Sequence, residues 1–324
     1  MVAVASVPVA EPRTGELLVK MEACGLCHSD LFVASLEKLP VVPLTLGHEG
    51  IGRVEALGAG GAGVAGFAIG DRVGITFLAS TCGVCELCIT GRERFCQRQL
   101  NFGYTVHGAL AGYAVVPAPL LVHVPETLPA AEAAPLCCAG WTAYGALREA
   151  GLQPGQSVAL FGMGGLGHLA IQYARHFGLR VAAVDVSENK LEMARSLGAD
   201  LALTAENAGR TLQKQWGGAD AAIVLTGSPA AIQQAFRSLK RTGTLIASGL
   251  STNQYELPIV DTVLKGISIR GSYLGTRADL DEVFRLAQSN VARAHIETHS
   301  LEQAPELFEA MRRGEILGRA VVAF

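Results

Sequence analysis

The sequence predicts an α/β protein in two parts: a mostly-β domain carrying a metal lobe, and a parallel, doubly wound sheet suited to a dinucleotide. Three observations carry this. Four cysteines fall at Cys82-x2-Cys85-x2-Cys88-x7-Cys96, a spacing that lets four thiolates converge on one tetrahedral ion. The run Gly162-Met163-Gly164-Gly165-Leu166-Gly167 sits between an apolar strand and an apolar-periodic helix, the context in which such glycines cradle a pyrophosphate. Short strand-like runs before Cys138 give way to alternating strand and helix patterns after Trp141, as a parallel sheet requires.

A chain of 324 residues, half of them hydrophobic, is long enough for two cores. Charged residues make up only 17%, and mean hydropathy is positive. No uninterrupted apolar run reaches the roughly 18–20 residues that a spanning helix needs. The apolar stretches are cut by Arg53, Glu55, Glu132, His168, Gln172 and Arg175, so abundant alanine and glycine explain the hydropathy and no membrane association is expected. A formal charge of -3 lacks the concentrated basic face of a nucleic-acid binder. Arg92, Arg94 and Arg98 beside the thiols read as a solvated rim. Met1 to Ala10 has no basic leading segment and makes a poor secretion signal. A cytoplasmic protein is expected, with its eight cysteines reduced.

Taken in order, Leu17 to Glu22 reads as a strand after the turn residues Pro12 and Gly15. Gly52–Leu57, Arg72–Ile75, Gly112–Val116 and Leu121–Val124 follow as short strands between turn signals. Pro154-Gly155 is a turn; Ser157–Phe161 is a continuous apolar strand, and a helix over about Leu166 to Phe177 follows the glycines. Strands are expected at Val181–Val184, Ala221–Leu225, Thr244–Ala247 and Ile267–Arg270. Helices are expected at Glu188–Leu197, stopped by Gly198, and at Pro229–Leu239. From about Leu280 the tail reads as one or two amphipathic helices and a final strand, Arg319 to Phe324. No internal repeat stands out.

At the glycine run, Gly162, Gly164, Gly165 and Gly167, with Leu166, let backbone N–H groups and a helix N-terminus face a pyrophosphate. Asp185 lies eighteen positions past Gly167 at the end of the next strand, placed to accept hydrogen bonds from both adenosine ribose hydroxyls. Its charge would repel a 2′-phosphate, which favours NAD over NADP.

Cys82, Cys85, Cys88 and Cys96 are read as a closed, structural zinc site. A reducing compartment disfavours disulfides there. A ferredoxin-like iron–sulfur start is disfavoured by the x7 gap before Cys96 and the absence of a following proline. Cys24-Gly25-Leu26-Cys27-His28 has the form of a c-type haem attachment, which needs export. The better reading takes Cys27 as one ligand of a second zinc, with His48, Glu49 and Cys138 as further candidates. Nothing in the spacing by itself brings these residues together.

The segments Cys24-Gly25-Leu26-Cys27-His28-Ser29-Asp30, Gly47-His48-Glu49-Gly50, Cys137-Cys138-Ala139-Gly140 and Gly318-Arg319 resemble the zinc-dependent alcohol dehydrogenases of the medium-chain dehydrogenase/reductase superfamily. The four-cysteine lobe and glycine run fall in that family's order, so the likeness covers essentially the whole chain. It implies a GroES-like catalytic domain over 1–139 and 276–324, with its zinc lobe over 80–98, and a Rossmann domain over 140–275. It also implies NAD and two zinc ions per chain. By the same resemblance, Cys27, His48 and Cys138 bind the catalytic zinc, and Glu49 enters the metal shell only transiently. Cys138 is preferred to Cys137 because the family's thiol immediately precedes Ala-Gly, leaving Cys24 and Cys137 as buried spares. Asp30 orients the histidine, Ser29 relays the alcohol proton, His28 and Arg319 contact the coenzyme pyrophosphate, and Lys190 lies near the adenosine ribose.

The chain departs from that pattern in three places. Phe32 stands where many members carry a proton-delivering histidine. Leu31 to Leu39 replaces a tryptophan-containing loop near the substrate. The chain opens near a segment, here Val9 to Lys20, that lies further along in the family, so an upstream strand or two is expected to be missing. The expected function is alcohol–aldehyde or alcohol–ketone interconversion on a small-molecule substrate, by a homodimer or homotetramer. A polyol, diol or secondary-alcohol dehydrogenase, or a non-catalytic zinc and dinucleotide binder, are the alternatives.

Overall fold

The computed structural model describes residues 2–59 and 66–324. The chain forms two units: Met1–Cys138 with Leu280–Gln288 and Ala294–Phe324, and Ala139–Asp279 with Ser289–Arg293.

The first unit opens with β1 (Glu16–Gly25), α1 (His28–Ala34), β2 (Gly50–Leu57), β3 (Arg72–Ile75) and β4 (Leu78–Ser80). It continues through α2 (Glu86–Ile89), β5 (Leu100–Asn101), β6 (Tyr113–Pro117), β7 (Val122–His123) and α3 (Ala130–Ala133). In the second unit follow α4 (Ala139–Ala150), β8 (Ser157–Phe161), α5 (Gly167–His176), β9 (Arg180–Asp185), α6 (Glu188–Ser196), β10 (Leu201–Thr204) and α7 (Ala208–Trp216). Then come β11 (Ala219–Val224), α8 (Pro229–Ser238), β12 (Leu239–Ala247), α9 (Ile259–Lys265) and β13 (Ser268–Gly271). The chain ends with α10 (Arg277–Gln288), β14 (Ile296–His299), α11 (Ala304–Arg312) and β15 (Arg319–Ala323).

In the first unit, β14-β15-β1-β2-β3-β7 form one sheet, with β6 also paired to β1. Along β1, Leu17, Val19 and Met21 are buried in alternation with Leu18, Lys20 and Glu22, the period-2 pattern of a sheet with one face on the core. The alternation stops at Ala23, Cys24 and Gly25, all buried. There β1 is flanked on both sides: Cys24 pairs with Gly50 of β2 and with Val322 of β15. This end of β1 positions the site described below. Leu17, Val19, Met21, Ile75 and Phe102 anchor one core of the unit, and Leu26, Phe308, Met311 and Val322 another.

In the second unit, the sheet runs β10-β9-β8-β11-β12-β13, with every pairing parallel. Strand order reverses between β8 and β11, the switch point at whose carboxyl edge such sheets bind ligands. β8 is buried at every residue, as expected of a strand covered on both faces. Its sheet is pinned at the opposite edge by Asp220, whose carboxylate accepts from Ser157 Oγ (2.6 Å) and from Lys240 Nζ (2.9 Å). Burial works against that charge, but the Ser157 and Lys240 bonds outweigh it and hold the carboxyl below its ordinary value. Among the described residues β13 pairs only with β12, and all four of its residues are exposed.

Every strand and helix read from the sequence is present, with ends shifted by a few residues. The structure adds α1, β4, α2, β5, α3, α4, β10, α7, α9 and β14, which the sequence reading missed. The segment Leu31 to Leu39, read as a loop, begins as helix through Ala34. The cause is local: the Asp30 carboxylate turns back to accept the Cys27 N–H at 3.0 Å, satisfying one of the orphan donors at the start of α1. Among the described residues no helix is long and apolar enough to cross a membrane.

Candidate active site

The four-cysteine lobe closes as the spacing predicts. Sγ atoms lie 3.8 Å apart for Cys82 and Cys88, 3.5 Å for Cys85 and Cys88, and 4.0 Å for Cys85 and Cys96. A tetrahedral ion with Zn–S bonds of about 2.3 Å places its sulfurs about 3.8 Å apart. Disulfides need sulfurs at about 2.05 Å, and all eight cysteines are free. A cluster of several irons would hold its thiolates farther apart than one ion's coordination shell. The N–H groups of Cys85 and Cys82 donate to the Cys82 and Cys96 sulfurs at 3.4 and 3.5 Å. Backbone donation from Val84 and Cys85 brings the Cys82 thiol down to about 5, so it is a thiolate ready for a cation. The four residues fit zinc.

The dispersed residues also converge. Ligand atoms of Cys27, His48, Glu49 and Cys138 all lie within 4.8 Å of one another, and all four side chains are buried. The topology explains how. Cys27 follows the end of β1, and His48-Glu49 immediately precede the start of β2, its partner. Cys138 follows a 3-10 turn over Ala134–Cys137 that packs against β1, β2, β3 and β15. Cys24, the other thiol of the haem-like motif, points into the core and is fully buried. Cys137 is likewise buried, its Sγ 3.9 Å from the Ala133 carbonyl. Burial pushes both of these thiols up, which suits inert packing groups.

Asp30 organises this convergence. It is 1% exposed. Besides the Cys27 N–H, its carboxylate accepts from Gly47 N at 3.2 Å and from His48 Nδ1 at 3.0 Å. With Nδ1–H committed to a carboxylate, Nε2 carries the lone pair, the orientation a metal-binding histidine needs. His48 Nε2 is buried with no hydrogen-bond partner. Burial opposes charge on the imidazole, but Asp30 overrides it and raises its affinity for a proton. Gly47, for which no role was expected, adopts φ +94°, and a Cβ there would meet the Leu110 nitrogen at 2.7 Å.

Cys27 and Cys138 sulfurs lie 4.0 Å apart. Donation from Cys138 lowers the Cys27 thiol, and the same bond with burial raises that of Cys138. A dication between the two sulfurs would favour the ionised form of both. Burial lifts Glu49 to about 7 against the pull of Arg319. These donors, an orphaned imidazole nitrogen and two close sulfurs, fit a zinc ion. Ser29 Oγ lies 3.7 Å from Cys27 Sγ, and His28 is exposed at the start of α1. Arg319 has a partner that the sequence reading did not foresee. Its guanidinium is 3% exposed and donates from Nη2 to Glu49 Oε1, because β15 opens beside the end of β1. One guanidinium nitrogen is thus committed to Glu49, while Nε is buried with no hydrogen-bond partner.

In the second unit, the glycines serve three purposes. Gly162 has φ +100°; a Cβ on Gly164 would meet nothing within 4 Å; a Cβ on Gly167 would strike the Gly162 carbonyl oxygen at 2.1 Å. These are the tight turn, the open face for a ligand and the close packing of helix on strand that a dinucleotide loop needs. Leu166 is the residue before α5, with Gly165 beside it. Asp185 accepts from Met163 N (2.6 Å), Val186 N (2.8 Å) and Ser187 N (3.0 Å). A carboxylate has about four acceptor sites, and three backbone donors engage most of them here. Lys190 lies half-buried on α6.

Asp30→Asn keeps the shape but offers one oxygen acceptor where three donors converge. Zinc at the Cys27/His48/Cys138 site should bind about 10- to 100-fold more weakly, with the four-cysteine zinc retained. Metal analysis after mild chelation should fall from two zincs per chain to one, and retention of both would refute the role of Asp30. Cys85→Ser should instead lower the melting temperature, having removed a ligand from the closed site.

Residues 13–126 match the family described as alcohol dehydrogenase GroES-like domain, and residues 165–289 match zinc-binding dehydrogenase. An alcohol dehydrogenase of Geobacillus stearothermophilus is 45% identical over 315 residues, covering 95% of this chain and 91% of the relative. The crystal structure of the alcohol dehydrogenase from Aeropyrum pernix superposes with a TM-score of 0.90 at 32% identity, covering 99% of this chain and 95% of that one. An acetophenone reductase from Geotrichum candidum, solved in complex with NAD, superposes at 0.87 and 30% identity, covering 98% and 92%. The GroES-like and Rossmann folds, the two metal-type clusters and these likenesses agree: the chain belongs to the zinc-type alcohol dehydrogenases of the medium-chain dehydrogenase/reductase superfamily and is an oxidoreductase of that family.

Proposed function

We propose that the chain interconverts alcohols with aldehydes or ketones, using NAD(H) and a zinc ion held by Cys27, His48 and Cys138. The observation that carries this reading is the unpartnered, buried His48 Nε2 in a cluster with two sulfurs and a carboxylate. Zinc bound there supplies a Lewis acid that polarises the substrate oxygen and lowers an alcohol's pKa. The alcohol gives up a hydride from carbon and a proton from oxygen. Ser29 Oγ is the group that takes up the proton and passes it on. Phe32 offers no titratable atom on α1, so the proton taken up by Ser29 would pass to solvent without a histidine at that position. Asp30 keeps the imidazole lone pair available. The loop from Gly162 to Gly167 holds the coenzyme pyrophosphate, with His28 as a further contact, and Asp185 and Lys190 hold the adenosine ribose. The free thiols suit a reducing compartment such as the cytoplasm.

The likeness to an acetophenone reductase makes a secondary-alcohol dehydrogenase the second reading. A panel of primary alcohols, secondary alcohols and polyols, run with NAD and NADP, separates the two. If protein holding two zincs and NADH reduces no aldehyde or ketone, both readings fail. Cys138→Ser should drop turnover below about 1% of wild type by removing a metal ligand, while NADH binding followed by fluorescence persists; full activity would rule the ligand assignment out.

Asp185→Asn should weaken NADH binding about tenfold, equal to about 1.4 kcal/mol, and narrow the gap to NADPH. Tighter binding of NADPH than NADH by the unaltered protein would show the Asp185 reading to be wrong.

We also propose a homodimer or homotetramer built on the open edge of β13. The edge strand is unpaired on one side, and on α9 Ile259, Val260, Val263 and Leu264 are 67–79% exposed, a patch of the kind that marks an interface. Light scattering should give at least twice the 33.8 kDa chain mass, and Val263→Asp with Leu264→Asp should reduce it. A monomer mass for the unaltered chain would end the proposal.

A further inference from the structure

Gly25 closes β1 between the two strands that flank the metal-type cluster, and its N–H donates to the Glu49 carbonyl at 2.9 Å. It is absent from the glycines with positive φ, so its backbone does not require glycine. The reason for glycine is steric, and it involves one side chain. A Cβ built on Gly25 would fall 2.1 Å from Glu49 Oε2 and 3.1 Å from both Cβ and Cδ of Glu49, its three nearest neighbours. The other carboxylate oxygen, Oε1, is taken by Arg319 Nη2. Oε2 is buried and has no hydrogen-bond partner. The carboxylate is thus held by charge on one side and given space by a missing methyl on the other, while one of its oxygens lies within 4.8 Å of the Cys27, His48 and Cys138 ligand atoms.

We propose that Gly25 is a positioning residue for Glu49: the bare face of its Cα is the berth in which the free carboxylate oxygen rests, and this berth fixes where Glu49 stands relative to the metal ligands. A methyl group in the berth must displace the carboxylate, because the atom in its way is the far end of a movable side chain. Glu49 Cβ, 3.1 Å from the added methyl, must also give by a few tenths of an ångström. Two thiolates already neutralise a zinc ion, so a third anion moved into or out of its shell changes how the ion is held and how strongly it attracts an oxygen ligand. The proposal rests on the zinc reading of the Cys27/His48/Cys138 site.

The test is Gly25→Ala in the holoenzyme, alone and combined with Glu49→Asp. The shorter carboxylate keeps a charge opposite Arg319 and withdraws from the berth. Two measurements avoid turnover: the rate at which the less tightly held zinc passes to a chromogenic chelator, and the visible spectrum after cobalt replaces that zinc. Gly25→Ala should change the release rate about tenfold or more and shift the cobalt bands. In the Glu49→Asp background, the same glycine change should have little further effect, as expected when one contact couples two positions. Poor folding of Gly25→Ala that Glu49→Asp repairs would also support the proposal. Release rates and spectra unchanged by Gly25→Ala would overturn it, as would an effect of equal size, or an equal folding defect, in both backgrounds. If the unaltered protein holds only the four-cysteine zinc, the zinc reading itself fails, a result distinct from either.

Discussion

The carboxylate of Asp30 is the contact on which the active-site geometry depends. Three donors meet it: the Cys27 N–H, the Gly47 N–H and His48 Nδ1. It therefore joins the end of β1 to the start of β2 at the point where each delivers a ligand. All three donors are in dry surroundings, where an unsatisfied group costs about 1–3 kcal/mol. One anion thus aligns two members of the cluster, and it sets which imidazole nitrogen faces the others. A buried carboxylate is itself costly unless its oxygens are hydrogen-bonded; here both oxygens accept.

The two metal-type clusters differ in kind. Around Cys82, Cys85, Cys88 and Cys96, four sulfurs at near-tetrahedral spacing leave no place for a further ligand, and the chemistry of that site is to tie a loop. At Cys27, His48 and Cys138 three donors converge, and the fourth candidate, Glu49, is engaged by Arg319 instead of being free. The ion pair between Glu49 and Arg319 is almost wholly buried, so losing either partner would strand a charge in the interior. That arrangement keeps an anion close to the cluster without committing it to the metal.

The coenzyme loop shows the same economy of backbone. Gly162, Gly164 and Gly167 stand close in sequence, yet one needs its φ, one keeps a face open and one lets α5 pack on β8. Asp185 serves the loop itself: by accepting from Met163 N, it stiffens the glycine turn.

Local physics determined much of this protein. The four-cysteine spacing, the glycine run between β8 and α5 and the alternation of strand and helix after Trp141 are short-range patterns, so the lobe, the loop and the fold class were legible in the residues. Elements whose cue is short or weak, such as β10 with four residues or α1 with a cap made by a side chain, were not. Family likeness named Cys27, His48, Glu49 and Cys138, but no spacing rule links positions 111 residues apart; only the pairing of β1 with β2 and β15, and the turn before Cys138, brings them together. Tertiary structure alone decided that Arg319 is paired with Glu49, that Asp185 has already filled most of its acceptor sites and that Gly25 is bare because a carboxylate lies against it. Each of these depends on which atoms are buried beside which, and burial is a property of the folded chain.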